Sequence, residues 1–256
     1  MSRAYYSEWD PYAAEWLRNL IAAGFLPAGD VDERSIADVQ PGDLAGYTQC
    51  HFFAGIGGWA YAARLAGWPD GRPLWTGSCP CQPFAVGGRR RGFADDRHLW
   101  PFFERLISEC RPPVVFGEQV ADATDWLRLV RGDLETLGYA VGAFPIEAAC
   151  ASADHFRDRY WFVGDAQSER WGQGWAEPEV RGGRAASSRP GGPDRATLIE
   201  CHDGVWRRKP PHGVRMLGTR IPARIPIVRA FGNAIDPRPA AQFIAAYMDT
   251  TQEQAP

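Results

Sequence analysis

At 256 residues, 45% of them hydrophobic, the chain is long enough for one well-cored domain with a small appendage. Its net charge of −3 excludes a bulk polycation, so a nucleic-acid partner would have to meet locally concentrated positive charge. No run of about 18 apolar residues occurs, and Met1-Ser2-Arg3-Ala4-Tyr5-Tyr6 lacks a signal-peptide layout, so a soluble, cytoplasmic, monomeric protein without membrane contact is expected. The six cysteines (Cys50, Cys79, Cys81, Cys110, Cys150, Cys201) are scattered and form no disulfide framework.

In chain order, residues 3–7 read as a short strand. Asp10 or Pro11 then opens a helix to about Ala23, with Tyr12, Trp16, Leu20 and Ala23 at helical spacing and Gly24 ending it. Residues 25–46 are turn-rich, with a weak strand near Ser35–Val39. Thr48–Phe53 is an apolar strand, Gly55–Gly58 a turn, and Trp59–Ala66 a helix closed by Gly67. Pro73–Ser78 is the next strand, Leu99–Cys110 a helix, Pro113–Phe116 a strand, and Thr124–Leu137 a helix closed by Gly138. Tyr139–Ile146 and Arg159–Val163 read as strands, and a last helix covers about Arg238 to Tyr247. Strands alternating with helices through tight glycine turns predict an α/β domain with a mainly parallel sheet. Such sheets bind ligands beyond the carboxyl ends of their strands. Residues 165–213 differ: they are rich in Gly, Arg, Pro, Ser and Glu, with isolated Trp171, Trp175 and Trp206, and lack helical or strand periodicity. They read as an irregular insert.

Positive charge gathers in Arg89-Arg90-Arg91, between Arg181 and Arg195, and in Arg207-Arg208-Lys209. Lys209 is the single lysine. Arginine suits bidentate contacts to phosphate and guanine, but a GC-rich genome would produce the same bias.

Two segments carry chemistry. Phe53-Ala54-Gly55-Ile56-Gly57-Gly58 follows an apolar strand and opens a helix, the setting of a nucleotide-type cofactor turn. Pro80-Cys81-Gln82-Pro83-Phe84 brackets a cysteine with prolines after a strand, and Gly88, Gly92, Asp96-Arg97 and Leu99 follow. Cys79 and Cys81 have no matching His/Cys pair at zinc spacing, so no metal is expected, and the zinc-deaminase pattern is absent. Val114-Val115-Phe116-Gly117-Glu118-Gln119-Val120 puts a carboxyl group just past a strand. His155-Phe156-Arg157-Asp158-Arg159 sets two arginines on one side of an extended segment. Gly232-Asn233-Ala234-Ile235 precedes the last helix.

Together these segments resemble the cytosine-C5 DNA methyltransferase family. The resemblance implies a Rossmann-like S-adenosylmethionine-dependent methyltransferase sheet, DNA as partner, and catalysis by thiolate addition to C6 of a flipped cytosine. It casts Cys81 as nucleophile, Glu118 as the acid beside N3, with a pKa raised by its pocket, and Arg157 and Arg159 as the grip on the base and its phosphate. Gln119 stands where the family has Asn, His155 where it has Gln, and His51 where it often has Asp. Phe53 to Gly58, Pro80, Asn233 and Ala234 would face the cofactor. Gln82, Arg89, Arg90, Arg91, Arg97, Gln119, His155 and Arg224 would face DNA.

The order of parts departs from the family. Gly67-Trp68-Pro69-Asp70-Gly71-Arg72-Pro73 joins the helix after the glycine turn almost directly to the cysteine strand. The ribose- and adenine-binding motifs that should lie between have N-terminal look-alikes. Ser7-Glu8-Trp9-Asp10-Pro11-Tyr12-Ala13 resembles the family's acidic motif, which implies Glu8 and Trp9 at the cofactor. Ser35-Ile36-Ala37-Asp38-Val39 resembles the next motif, with Ser35 or Asp38 as the adenine contact. Residues 1–46 then form a circularly permuted cofactor-binding segment, residues 1–164 with 214–250 the catalytic domain, and 165–213 a small target-recognition insert. Two other readings use the same residues: a cytosine deaminase making uracil, if no methyl donor binds, and a base-flipping DNA binder without catalysis. Some family members act on tRNA, and a compact enzyme of this kind would fit a phage or a restriction–modification setting.

Overall fold

The computed structural model describes residues 2–80, 99–120, 123–147, 158–166, 198–200, 206–208 and 234–252. The strands are β1 (Ala4–Ser7), β2 (Gly29–Asp32), β3 (Gln49–Phe52), β4 (Leu74–Gly77), β5 (Val114–Val120), β6 (Ala140–Glu147), β7 (Asp158–Asp165), β8 (Leu198–Glu200) and β9 (Trp206–Arg208). The helices are α1 (Pro11–Ala22), α2 (Gly58–Leu65), α3 (Trp100–Cys110), α4 (Thr124–Thr136) and α5 (Pro237–Gln252), with a 3₁₀ turn over Pro41–Leu44. None of the described helices is long and apolar enough to cross a membrane.

Seven strands form one sheet in the order β2-β1-β3-β4-β5-β7-β6. The pairs β2–β1, β1–β3, β3–β4 and β4–β5 are parallel, and β7 runs antiparallel between β5 and β6. This is a mixed α/β sheet of Rossmann-like kind. The two N-terminal strands occupy the edge beyond β3, although they precede it in the chain.

Both faces of the sheet are covered. On one, α3 and α4 bury Trp100, Phe103, Leu106, Trp126, Val130 and Leu134 against Phe52, Val115 and Phe162. On the other, α2 and α5 bury Trp59, Ile244 and Tyr247 against Trp68, Phe116 and Trp161. Leu17 of α1 packs with Ala4, Tyr6 and Leu26. Each fully buried large side chain of this kind contributes about 1.5–3 kcal/mol by leaving water, and tilted or edge-on ring pairs such as Phe52–Phe103, 4.9 Å between centroids, add to that. The chain starts α1 where the sequence predicts: the Asp10 carboxylate accepts the Tyr12 and Ala13 N–H groups, and Pro11 follows at the first helical position.

Three expectations are corrected. Residues 35–38 form a turn, with Asp38 N–H donating to the Ser35 carbonyl, and the strand of this region is β2 at Gly29–Asp32. β5 extends to Val120, so Glu118 lies inside the strand rather than past it. The insert expected to lack strands contains the antiparallel pair β8–β9, with Leu198 opposite Arg208.

Candidate active site

Because β1, β3, β4 and β5 are mutually parallel, their carboxyl ends share one rim of the sheet. Glu8, the glycine turn, Pro80, Glu118 and Arg159, all expected from the sequence, lie along it. Glu8 is the first residue beyond β1 and is buried, 8% exposed. Its Oε2 accepts the Gly55 N–H at 2.7 Å and its Oε1 accepts the Asp10 N–H at 2.9 Å. A second tie joins the same elements, since the Ala54 N–H donates to the Ser7 carbonyl at 3.0 Å. The N-terminal acid is thus bonded into the glycine turn, 47 residues away in sequence. Trp9, beside Glu8, exposes 68% of its surface.

The turn is held by left-handed backbone at Phe53 (φ 52°), Gly55 (φ 55°) and Gly57 (φ 84°). A Cβ at Gly57 would stand 2.5 Å from Leu26 Cδ1 and 3.1 Å from Leu17 Cδ2, so the turn rests directly on the α1 layer. Ile56, Gly57 and Gly58 line an apolar cleft of about 230 Å³ with Leu20, Phe25 and Ile235. Ala234 begins the described segment that leads into α5. A buried acid, an exposed indole and a glycine turn at adjacent strand ends fit an adenosine-type cofactor: the acid can accept ribose hydroxyls, the indole can stack on a purine, and the turn admits close approach.

Ser35 and Asp38 are exposed in their turn. The strand end beside Glu8 belongs instead to Asp32, whose carbonyl accepts the Glu8 N–H at 2.9 Å. Its carboxylate accepts from Tyr5 Oη at 2.7 Å and Arg34 Nη2 at 2.7 Å. Burial opposes ionisation of Asp32, but the Arg34 and Tyr5 bonds outweigh it and hold its pKa below the usual value. Its low-propensity setting, Gly-Asp-Val-Asp, concealed it in the sequence.

Farther along the rim, β4 delivers Ser78, Cys79 and Pro80. Trp59 Nε1 donates to Ser78 Oγ at 2.9 Å, which ties this segment to α2. Burial pushes the thiols of Cys50, Cys79 and Cys110 up, so these three are poor thiolates at neutral pH. Glu118 is buried, and its Oε1 lies 2.5 Å from Arg159 Nε on β7, the neighbouring strand. Gln119, expected to face DNA, is 2% exposed: its Nε2 donates to the Cys79 carbonyl at 3.4 Å, and its Oε1 accepts the Val120 N–H at 2.9 Å. His51 is buried behind the glycine turn. Its Nδ1 is 2.9 Å from Thr76 Oγ1, its Nε2 3.3 Å from Gln49 Oε1, and its ring stacks on Tyr6. The candidates Cys81, Gln82, Arg89, Arg90, Arg91, Arg97, His155, Arg157, Arg224 and Asn233 lie outside the described residues.

Residues 69–186 match the model of the C-5 cytosine-specific DNA methylase family. Over that segment, a little under half of the chain, it is similar to that family. It is 32% identical over 108 residues to the Type II methyltransferase M.AplI of Arthrospira platensis, covering 41% of this chain and 30% of that protein. It is 26% identical over 164 residues to the Type II methyltransferase M.HaeII of Haemophilus aegyptius, covering 62% and 42%. Among solved structures, the S. pombe Dnmt2 methyltransferase superposes with a TM-score of 0.41 at 14% identity, over 67% of this chain and 53% of that one. The chain thus spans less than half the length of these two curated relatives. The matched segment includes the cysteine loop, Glu118 and Arg159, and it begins after the glycine turn and the N-terminal acid.

Proposed function

We propose that the protein transfers a methyl group from S-adenosylmethionine to C5 of cytosine in DNA. One observation carries this reading: Glu8, the glycine turn, the strand leading into Cys81, and the Glu118–Arg159 pair all sit on one rim of the sheet. Bound S-adenosylmethionine would supply an activated methyl group on a sulfonium, the electrophile that this chemistry needs. Glu8 would accept the ribose hydroxyls, Trp9 would cover the adenine, and residues 53–58 would hold the remainder.

Cytosine C5 is a weak nucleophile, and Cys81 overcomes that by adding its thiolate to C6. The new S–C6 bond moves the C5–C6 electron pair onto C5. Glu118 would hold a proton at N3, which relieves the negative charge that addition pushes into the ring. Arg159 fixes the Glu118 carboxyl group and presents a guanidinium at the same place, suited to the base carbonyl. Once C5 carries the methyl group, its proton passes to water, the C5–H electron pair re-forms the C5–C6 double bond, and the S–C6 bond breaks to return the Cys81 thiolate. Arg157, with Gln82, His155, Arg89–Arg91, Arg97 and Arg224, would grip the flipped nucleotide and its strand, and residues 165–213 would read the target.

The N-terminal unit is read as circularly permuted. The position of β1 and β2 beside β3, with Glu8 bonded to Gly55, supports this, because an unrelated appendage has no reason to complete the sheet at the cofactor turn.

The test is nucleoside mass spectrometry after incubating purified protein with cytosine-containing DNA, with and without S-adenosylmethionine. The expected result is 5-methylcytosine that needs the cofactor and disappears in Cys81→Ser. Its absence from DNA of mixed sequence overturns the proposal. Glu8→Ala should weaken S-adenosylmethionine binding by about tenfold or more in calorimetry, on the scale of a lost charged hydrogen bond.

A further inference from the structure

We infer that Gln119 is a positioning residue that clips the nucleophile-bearing loop to the strand carrying the acid, a role that rests on the function proposed above. The β4–β5 ladder ends at the pair Gly77–Gly117. The strands approach closely there: a Cβ at Gly117 would lie 2.9 Å from the Gly77 carbonyl oxygen and 2.1 Å from Phe162 Cζ. Beyond this pinch β5 continues to Val120, while the other strand leaves the ladder as Ser78-Cys79-Pro80, with Cys81 next in sequence. Past the pinch the Gln119 side chain ties the two segments, its Nε2 donating to the Cys79 carbonyl at 3.4 Å.

The amide has one orientation open to it. Its Oε1 accepts the Val120 N–H at 2.9 Å, so the NH₂ end must face the Cys79 carbonyl. Gln119 is 2% exposed, so water offers neither group a ready substitute. The acid and the clip are successive residues of one strand and therefore point to opposite faces. Glu118 faces the chemistry with Arg159, while Gln119 holds the loop two residues before Cys81.

A carboxylate cannot donate to a carbonyl, whereas a carboxylic acid can. Gln119→Glu should therefore release the loop at high pH and restore the tie as the new side chain takes up a proton. The experiment uses the full chain with S-adenosylmethionine and a long mixed-sequence duplex made with 5-fluorocytosine. Fluorine at C5 leaves no proton to remove, so the Cys81 adduct stays attached and denaturing gels read its rate of formation. Gln119→Glu and Gln119→Leu should slow adduct formation about ten- to hundred-fold at pH 8, the equivalent of one lost buried hydrogen bond, with DNA affinity unchanged. The Gln119→Glu deficit should shrink as pH falls, and the Gln119→Leu deficit should not. Equal rates for all three proteins, or identical pH profiles for the two variants, overturn the clip and leave the proposed function standing. If the wild type forms no adduct, the proposed reaction fails, and the rate of Cys81 alkylation by iodoacetamide, read by peptide mass spectrometry, decides the clip: a pH-dependent difference in Gln119→Glu supports it and equal rates overturn it.

Discussion

His51 stands where the family often has Asp, two residues before Phe53, and its surroundings set its protonation. The structure buries it between Tyr6, Thr76 and Gln49, behind the turn. Burial pushes its pKa from 6.5 down to about 3, because a charged imidazolium there would lose its hydration. The folded protein therefore binds this proton less readily than the unfolded chain. The resulting stability is fully present above pH 6.5 and is lost as pH falls toward 3, at up to about 1.4 kcal/mol per pH unit. Urea melts at pH 7 and pH 4.5 should show this loss, and His51→Gln should reduce it. An unchanged pH dependence in that variant would mean that other groups carry it. At Gly117, where a Cβ would meet Phe162 at 2.1 Å, Gly117→Ala should cost about 1–3 kcal/mol in the same assay.

Among the elements, those with an apolar face and a local stop signal are read well from sequence. α1 has a capping aspartate, a proline at its first position and a buried stripe of Ala13, Ala14 and Leu17. Asp10→Ala should destabilise the fold by about 1 kcal/mol in chemical denaturation through loss of the cap. β2 is the opposite case. Gly, Asp, Val and Asp carry no strand signal, and the segment is extended because each residue pairs in parallel with β1. Its first residue must be small: a Cβ at Gly29 would lie 1.9 Å from the Ala4 carbonyl oxygen. The pattern Ser-Ile-Ala-Asp-Val imitates a strand, since Ile36 and Val39 are both buried, but their spacing is that of a turn laid on the core. The missed extension of β5 has a similar cause, because Glu118 and Gln119 are polar residues kept in a strand by the β7 ladder.

For the whole molecule, the strand order makes a direct prediction. β1 and β2 lie beyond β3 on the edge away from β4, so residues 2–46 could enter the chain either before β3 or between α2 and β4. Moving that segment into the 67–73 connection through short glycine linkers should give a protein with the same cofactor affinity and a melting temperature within a few degrees. A rearranged chain that folds but binds no S-adenosylmethionine would refute the permuted reading. The sequence by itself determined the α/β class, the alternation of most elements and the glycine turn, and it supplied the candidate motifs, because these rest on local periodicity, turn chemistry and short spacing. Only the tertiary structure decided that Glu8 meets Gly55, that Arg159 pairs with Glu118, that Gln119 turns inward and that β2 is a strand. Each of those depends on which strands become neighbours, and pairing across a sheet is set by the burial of both faces rather than by nearness in the chain.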